Sequence, residues 1–332
     1  MTSSLIPSYA ELHCRSNFTF LTGASHPGEL VQRARELDYA SLALTDECSV
    51  AGVVRAHAEM RNWHEHERRA FRFIVGSEFD VQGQATTPGC RLVLLARNRD
   101  GYGNLCELIT LGRLRCGKGS YRITTSDLDA PEADVAGLRG MPDCCALLIP
   151  RRDDPPETLQ RQARWMAATF GARARIALEL LMWADDSLLL ERVLEASQGS
   201  GVPIVAAGDV LMHLRSRKPV QDTLTAVRLK QPVADCGGAL ARNAEQHLRS
   251  RLRLAQLYRP EWLAESVAIA RECTFSLDEL RYEYPAEIVP EGTTPIAHLR
   301  GLTEAGAREV RYPQGVPSAV RLQLERELAL VE

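Results

Sequence analysis

Short apolar runs recur along the chain, separated by stretches with helical spacing. Seven of them have strand length and composition: 9–14, 41–46, 72–81, 91–97, 144–150, 175–181 and 203–209. Between them, PGELVQRARELD (27–38) opens with a proline at a helix N1 position. GYGNLCELITLGRLR (101–115) repeats its apolar residues at three and four, and PETLQRQARWMAATFG (156–171) stops at a glycine. Alternation of strand and helix to about residue 230 predicts an α/β fold with a parallel sheet. Seven nearly continuous apolar strands favour a closed barrel, although periodicity alone does not exclude an open, doubly wound sheet.

Beyond residue 240 the pattern becomes helical only, over 244–258 and 260–273, and predicts a helical cap. Residues 275–295, with Pro285, Pro290 and Pro295, have no period and read as a linker. An amphipathic pair follows at 297–312 and 318–332, and its apolar period runs to the last residue, which points to a longer parent protein. The resulting division is a barrel over 5–240, a helical cap over 241–284, and a linker with the start of a further region over 285–332.

The 332 residues are 45% apolar, enough for a full core, and the formal net charge of −3 announces no nucleic-acid partner. Lysine occurs only at 118, 218 and 230, so the basic residues are almost all arginine. Nine cysteines without a CxxC pair fit neither a disulfide framework nor a zinc ribbon, and imply a reducing cytoplasm. No apolar stretch reaches membrane-spanning length, and no secretory leader is evident.

In a parallel barrel the C-terminal strand ends converge on one mouth. His13, Asp46, Glu47, Glu78 and Asp209 fall at such ends, and an imidazole with several carboxylates is the donor set of a Zn, Mn or Fe hydrolase centre. Each residue also has a plainer role: Asp46 and Asp209 as helix caps, Glu78 in an ion pair, His13 as a hydrogen-bonded interior histidine. Arg15 speaks against a complete metal site, because a guanidinium has no lone pair to offer; it reads instead as a fixed cation paired with the carboxylates. Leu211, two residues beyond Asp209, is also without a donor, and His213 is the nearest substitute. The HEHE stretch at 64–67 resembles a ligand motif, but residues two apart on a helix diverge, so it reads as a solvated face.

The motifs ELHCRSNFTFLTGASHPGELVQRARELDYASLALTDECSVAGVVRAH, IVGSEFDV, LVLLARNRDGYGNLCELITLGR, VPIVAAGD and FSLDELRYEYPAEIVP occur in this order over essentially residues 5 to 332. The chain so resembles the N-terminal PHP (polymerase and histidinol phosphatase) domain of bacterial C-family DNA polymerases, in the error-prone branch. The resemblance implies a distorted seven-stranded (β/α)7 barrel with metals at the strand C-termini. It makes His13 and Arg15 the family's HxH, Thr45–Asp46–Glu47 its TDH, Glu78 its glutamate and Asp209–Val210–Leu211 its DxH, with a cysteine ligand of some members falling near Pro150. Ligands are thereby lost at 15 and 211, which implies a structural domain with a degenerate Zn2+ or Mn2+ site. The alternatives are an active metal-dependent phosphoesterase or 3′–5′ exonuclease using the residual donors, and, without the resemblance, a barrel hydrolase of small phosphate esters. The parent implied is a polymerase for translesion synthesis, with Mg2+ bound outside this chain, DNA primer-template and dNTPs as substrates, and a sliding clamp and accessory mutagenesis proteins as partners.

Overall fold

A computed structural model describes residues 6–84, 87–281 and 289–332. Two compact units divide the chain, residues 1–280 and 281–332. The boundary anticipated at 284/285 and the 282–288 portion of the motif at 275–290 lie outside the described residues.

In the first unit all seven anticipated strands form: β1 (Ala10–Cys14), β2 (Ser41–Leu44), β3 (Arg72–Gln82), β4 (Cys90–Ala96), β6 (Cys144–Ile149), β7 (Ala174–Leu178) and β8 (Ile204–Ala206), with a two-residue β5 (Ile123–Thr124) beside β3. They run in chain order across one curled sheet. The expectation of a wholly parallel sheet is corrected at β4, which is antiparallel to both β3 and β6. The physical reason is the connection: only residues 83–89 separate β3 from β4, too few for a crossover helix. Beyond β8, the Val210 N–H donates to the His13 carbonyl at 2.9 Å and the Arg15 N–H to the Val210 carbonyl at 2.9 Å. This single bridge brings the end of the sheet back to β1.

The helices of this unit are α1 (Pro27–Glu36), α2 (Val53–Met60), α3 (Glu65–Ala70), α4 (Arg99–Leu114), α5 (Ser126–Asp129), α6 (Pro156–Phe170), α7 (Asp186–Ser200), α8 (Lys218–Leu229), α9 (Arg251–Leu257) and α10 (Pro260–Glu272). The anticipated 101–115 helix starts two residues earlier, because Asn98 caps α4 by accepting the Gly101 N–H at 2.9 Å. Helix 244–258 is shortened to α9, since its first residues run extended against 211–212, where the Leu211 N–H donates to the Gln246 carbonyl at 2.9 Å.

Strand alternation sorts the apolar residues onto two faces. Leu42, Leu92, Leu94 and Leu148 face outward with Leu30 of α1, Leu105 of α4 and Met166 of α6. Ala10, Leu12, Ile74, Val93, Leu95, Leu147 and Val205 face inward, and Ile269, Ala270 and Cys273 at the end of α10 share this inner cluster. The anticipated helical cap is thus partly a plug: α10 packs its apolar end against the concave face of the sheet. The second unit holds α11 (Pro295–Gly306) and α12 (Ser318–Val331), linked by an Arg300–Glu325 ion pair at 2.7 Å. No helix among the described residues is long and apolar enough to cross a membrane.

Candidate functional site: a buried charge cluster

The inward-facing side of the sheet changes character along its length. Ile74 is followed on the same face by Glu78, Ala177 by Glu179 and Ala207 by Asp209, so three apolar strands become acidic toward their C-terminal ends. From β4, Arg91 shares the face of Val93 and Leu95. In β1 the register with β2 slips between Glu11 and Cys14. Glu11, itself buried, accepts the N–H of His13 at 3.0 Å, the N–H of Gly208 at 3.0 Å and the Tyr9 hydroxyl at 2.9 Å, which ties β1 to the turn after β8. A Cβ on Gly208 would run into the Glu11 carboxylate, so that approach requires glycine. Asp209 then takes a left-handed conformation (φ 45°) that aspartate tolerates better than most residues.

His13 is fully buried and has a carboxylate on each ring nitrogen: Glu78 at Nε2 and Glu179 at Nδ1, the latter at 2.6 Å. Arg15 contacts Asp209 through Nη2 and lies 3.5 Å from Glu78 through Nη1. Arg91 places Nη2 3.3 Å from the same Asp209 oxygen and Nε 3.4 Å from Glu78. The second Asp209 oxygen accepts from Gln246 Nε2 at 2.7 Å. Burial by itself lowers the His13 pKa, but the Glu179 and Glu78 carboxylates override it and raise the value from 6.5 to about 9. Burial pushes Asp209 upward and is outweighed by Arg15, Arg91 and His13, which hold it at about 2. Glu78 likewise stays well below the usual carboxylate range because Arg15, Arg91 and His13 outweigh its burial. Near neutral pH His13, Arg15 and Arg91 are therefore cations facing the ionised Glu78 and Asp209, with Glu179 on the other ring nitrogen of His13.

Of the residues singled out in the sequence, His13, Arg15, Glu78 and Asp209 come together, and the other three do not. Asp46 turns toward the loop after β1: its carboxylate accepts the Ser16 N–H and hydroxyl, both at 2.7 Å, and the Thr19 hydroxyl at 2.8 Å. Burial raises its pKa in spite of these bonds. Glu47 accepts from the Tyr121 hydroxyl at 2.9 Å. His213 meets the Ser25 hydroxyl at 2.7 Å and lies 3.8 Å from Glu29 of α1. Arg15 therefore pairs with Glu78 and Asp209, without the contact to Asp46 that was anticipated. Glu179, Arg91, Glu11 and Gln246 were not foreseen. Glu179 and Arg91 had a readable signal, a charge within an apolar strand run, which burial permits only if it is paired.

Among the described residues, His13, Glu179 and Asp209 could share one cation, with donor atoms within 4.8 Å of one another. A cavity of about 250 Å³ adjoins them, lined by Arg91, Arg152, Glu179, Trp183 and Asp209; Pro150 also lines it and has no side-chain donor. The fit to Zn2+ or Mn2+ is poor. Both His13 nitrogens are already directed at carboxylates, and two guanidinium groups sit on the carboxylate oxygens an ion would need.

The PHP domain family model matches residues 11–181. Similar curated proteins are the error-prone DNA polymerases of Bordetella parapertussis, 57% identical over 329 residues, of Ralstonia nicotianae, 52% identical over 330, and of Burkholderia mallei, 49% identical over 336. The alignments cover 99%, 98% and 99% of this chain and 31%, 30% and 31% of those proteins. The chain thus spans about 31% of the length of the relatives it matches. Because the matched region takes in more than half of the chain and carries His13, Arg15, Glu78 and Glu179, this chain belongs to the PHP domain family.

Proposed function

We propose that this chain is the PHP domain of an error-prone DNA polymerase, and that its barrel serves as architecture, with side-chain cations in place of metal ions. The observation that carries the reading is Arg15, whose guanidinium reaches Glu78 and Asp209 at once. Arg91 adds a second fixed cation to the same two carboxylates. Guanidinium groups neutralise and position carboxylates without offering a Lewis acid or a bound water, so the cluster is built for cohesion. In this reading residues 5–240 and 241–284 form the domain, and 285–332 lead toward the region that polymerises. The parent protein adds dNTPs to a DNA primer-template with Mg2+ held outside this chain, in the cytoplasm, with a sliding clamp and accessory mutagenesis proteins as partners. The similarity to error-prone DNA polymerases over nearly the whole chain supports this placement.

The competing reading, a metal-dependent phosphoesterase or 3′–5′ exonuclease, draws on the proximity of His13, Glu179 and Asp209. Elemental analysis of protein purified without chelator, together with cleavage of a 3′-labelled primer in added Mn2+ or Zn2+, separates the two. The expected result is no stoichiometric metal and no cleavage. Stoichiometric metal, with cleavage abolished in Asp209→Ala, would overturn the architectural reading.

A further inference from the structure

A cavity of about 600 Å³ opens at the end of the sheet opposite the charge cluster. Ser8, Ser41 and Arg72, which lie just before β1 and at the starts of β2 and β3, all line it. The charged stretch around α2 and α3, which the buried cluster leaves without a role, supplies one wall, and the end of α10 supplies the other. Five arginines line this cleft: Arg61, Arg68, Arg69, Arg72 and Arg271. Glu65 and Asp278 are its acidic residues, so the cleft carries an excess of three positive charges on a chain whose net charge is −3.

Two of these arginines are committed. Arg72 donates to the carbonyls of Arg271 at 3.1 Å and Cys273 at 3.3 Å, and Arg69 pairs with Glu65. Asp278 faces His57 at 3.3 Å. Arg61, Arg68 and Arg271 are solvent-exposed and have no ion-pair partner among the described residues. Phe73 and Leu277, both half-buried, also line the cleft, whereas the Phe71 and Phe275 rings in its wall are almost fully buried against Trp63 and Tyr102. Exposed guanidinium groups along one cleft match a ligand that repeats negative charge at intervals. Single-stranded nucleic acid has that chemistry: phosphates for the arginines, on a backbone flexible enough to follow a basic groove.

We propose that this cleft binds single-stranded DNA through its phosphodiester backbone, at a site separate from the buried cluster. The claim is independent of whether that cluster holds metal. Fluorescence anisotropy of this chain with a labelled oligothymidylate of about 12 nucleotides tests it. Between about 50 and 200 mM salt the logarithm of affinity is expected to fall with a slope of about −2, as for roughly three phosphates released from counterions. Arg68→Glu with Arg271→Glu is expected to weaken binding by at least about tenfold, and the neutral pair Arg68→Ala with Arg271→Ala by an intermediate factor. A control of equal charge change on exposed residues elsewhere, Arg164→Glu with Arg228→Glu, is expected to leave affinity within about twofold. Equal losses in the cleft and control variants, no loss in either, or competition by poly-glutamate as effective as by DNA would each overturn the proposal. Should the charge reversal disturb folding, as read by its melting curve, the alanine pair against the control decides the outcome alone.

Discussion

Arg15 shows how far a single side chain can be read before the fold is known. A guanidinium two residues from a histidine at a strand end has to find carboxylates if it is buried, and it finds two, Glu78 and Asp209. Asp46 shows the opposite case. Its carboxylate stands at an equally good strand end, yet the N–H and hydroxyl groups of Ser16 and Thr19 turn it toward its own loop. No pattern in the sequence states which way such a carboxylate points, because its partners come from a turn whose conformation is set elsewhere. Removal of Arg15 leaves Glu78, Glu179 and Asp209 with one fewer cation in a buried space. Arg15→Ala is expected to destabilise the domain by roughly 3–5 kcal/mol, the cost of breaking one side of a buried ion pair. Urea unfolding followed by circular dichroism checks this, and a midpoint equal to that of the unaltered protein would contradict it.

At the scale of elements, the seven apolar runs announced seven strands, while the direction of β4 depended on the seven residues between it and β3. The role of α10 was hidden for a different reason. Its periodicity marks an amphipathic helix, but periodicity is the same for a helix on the outside of a sheet and one seated on its concave face. Ile269 belongs to the inner cluster with Ala10, Val93 and Val205 and is almost fully buried. Ile269→Ala is expected to cost about 2–5 kcal/mol, as for a large-to-small change in a packed core. Truncation of Leu302 on α11, more than half exposed, is expected to cost less than about 0.5 kcal/mol. Comparable losses at the two positions, measured by the same unfolding titration, would mean that α10 does not plug the sheet.

For the whole molecule the charge cluster sets a pH window. His13 has its pKa raised from 6.5 to about 9, so the native state keeps a proton that the unfolded chain releases; this stability is complete below pH 6.5 and is lost as pH rises through 9. Asp209 has its pKa lowered from 3.8 to about 2, so its contribution is present above pH 3.8 and disappears as pH falls through 2. Stability is therefore expected to be greatest between about pH 4 and 6.5 and to decline toward pH 9, by up to roughly 3 kcal/mol from His13. Unfolding free energies at intervals from pH 5 to 9 check this, and a flat profile would show that His13 is not held as a cation. By itself the sequence determined the α/β class, the seven strands, the family and the loss of donors at positions 15 and 211, since these depend on periodicity, residue type and motif order. Tertiary structure alone decided that Glu179 and Arg91 enter the cluster, that Asp46, Glu47 and His213 stay outside it, and that Arg271 joins the arginines of 61–72 in one cleft. These outcomes depend on the curl of the sheet, on the register slip in β1 and on the turn at Asp209, which bring residues far apart in the chain within a few ångströms of one another.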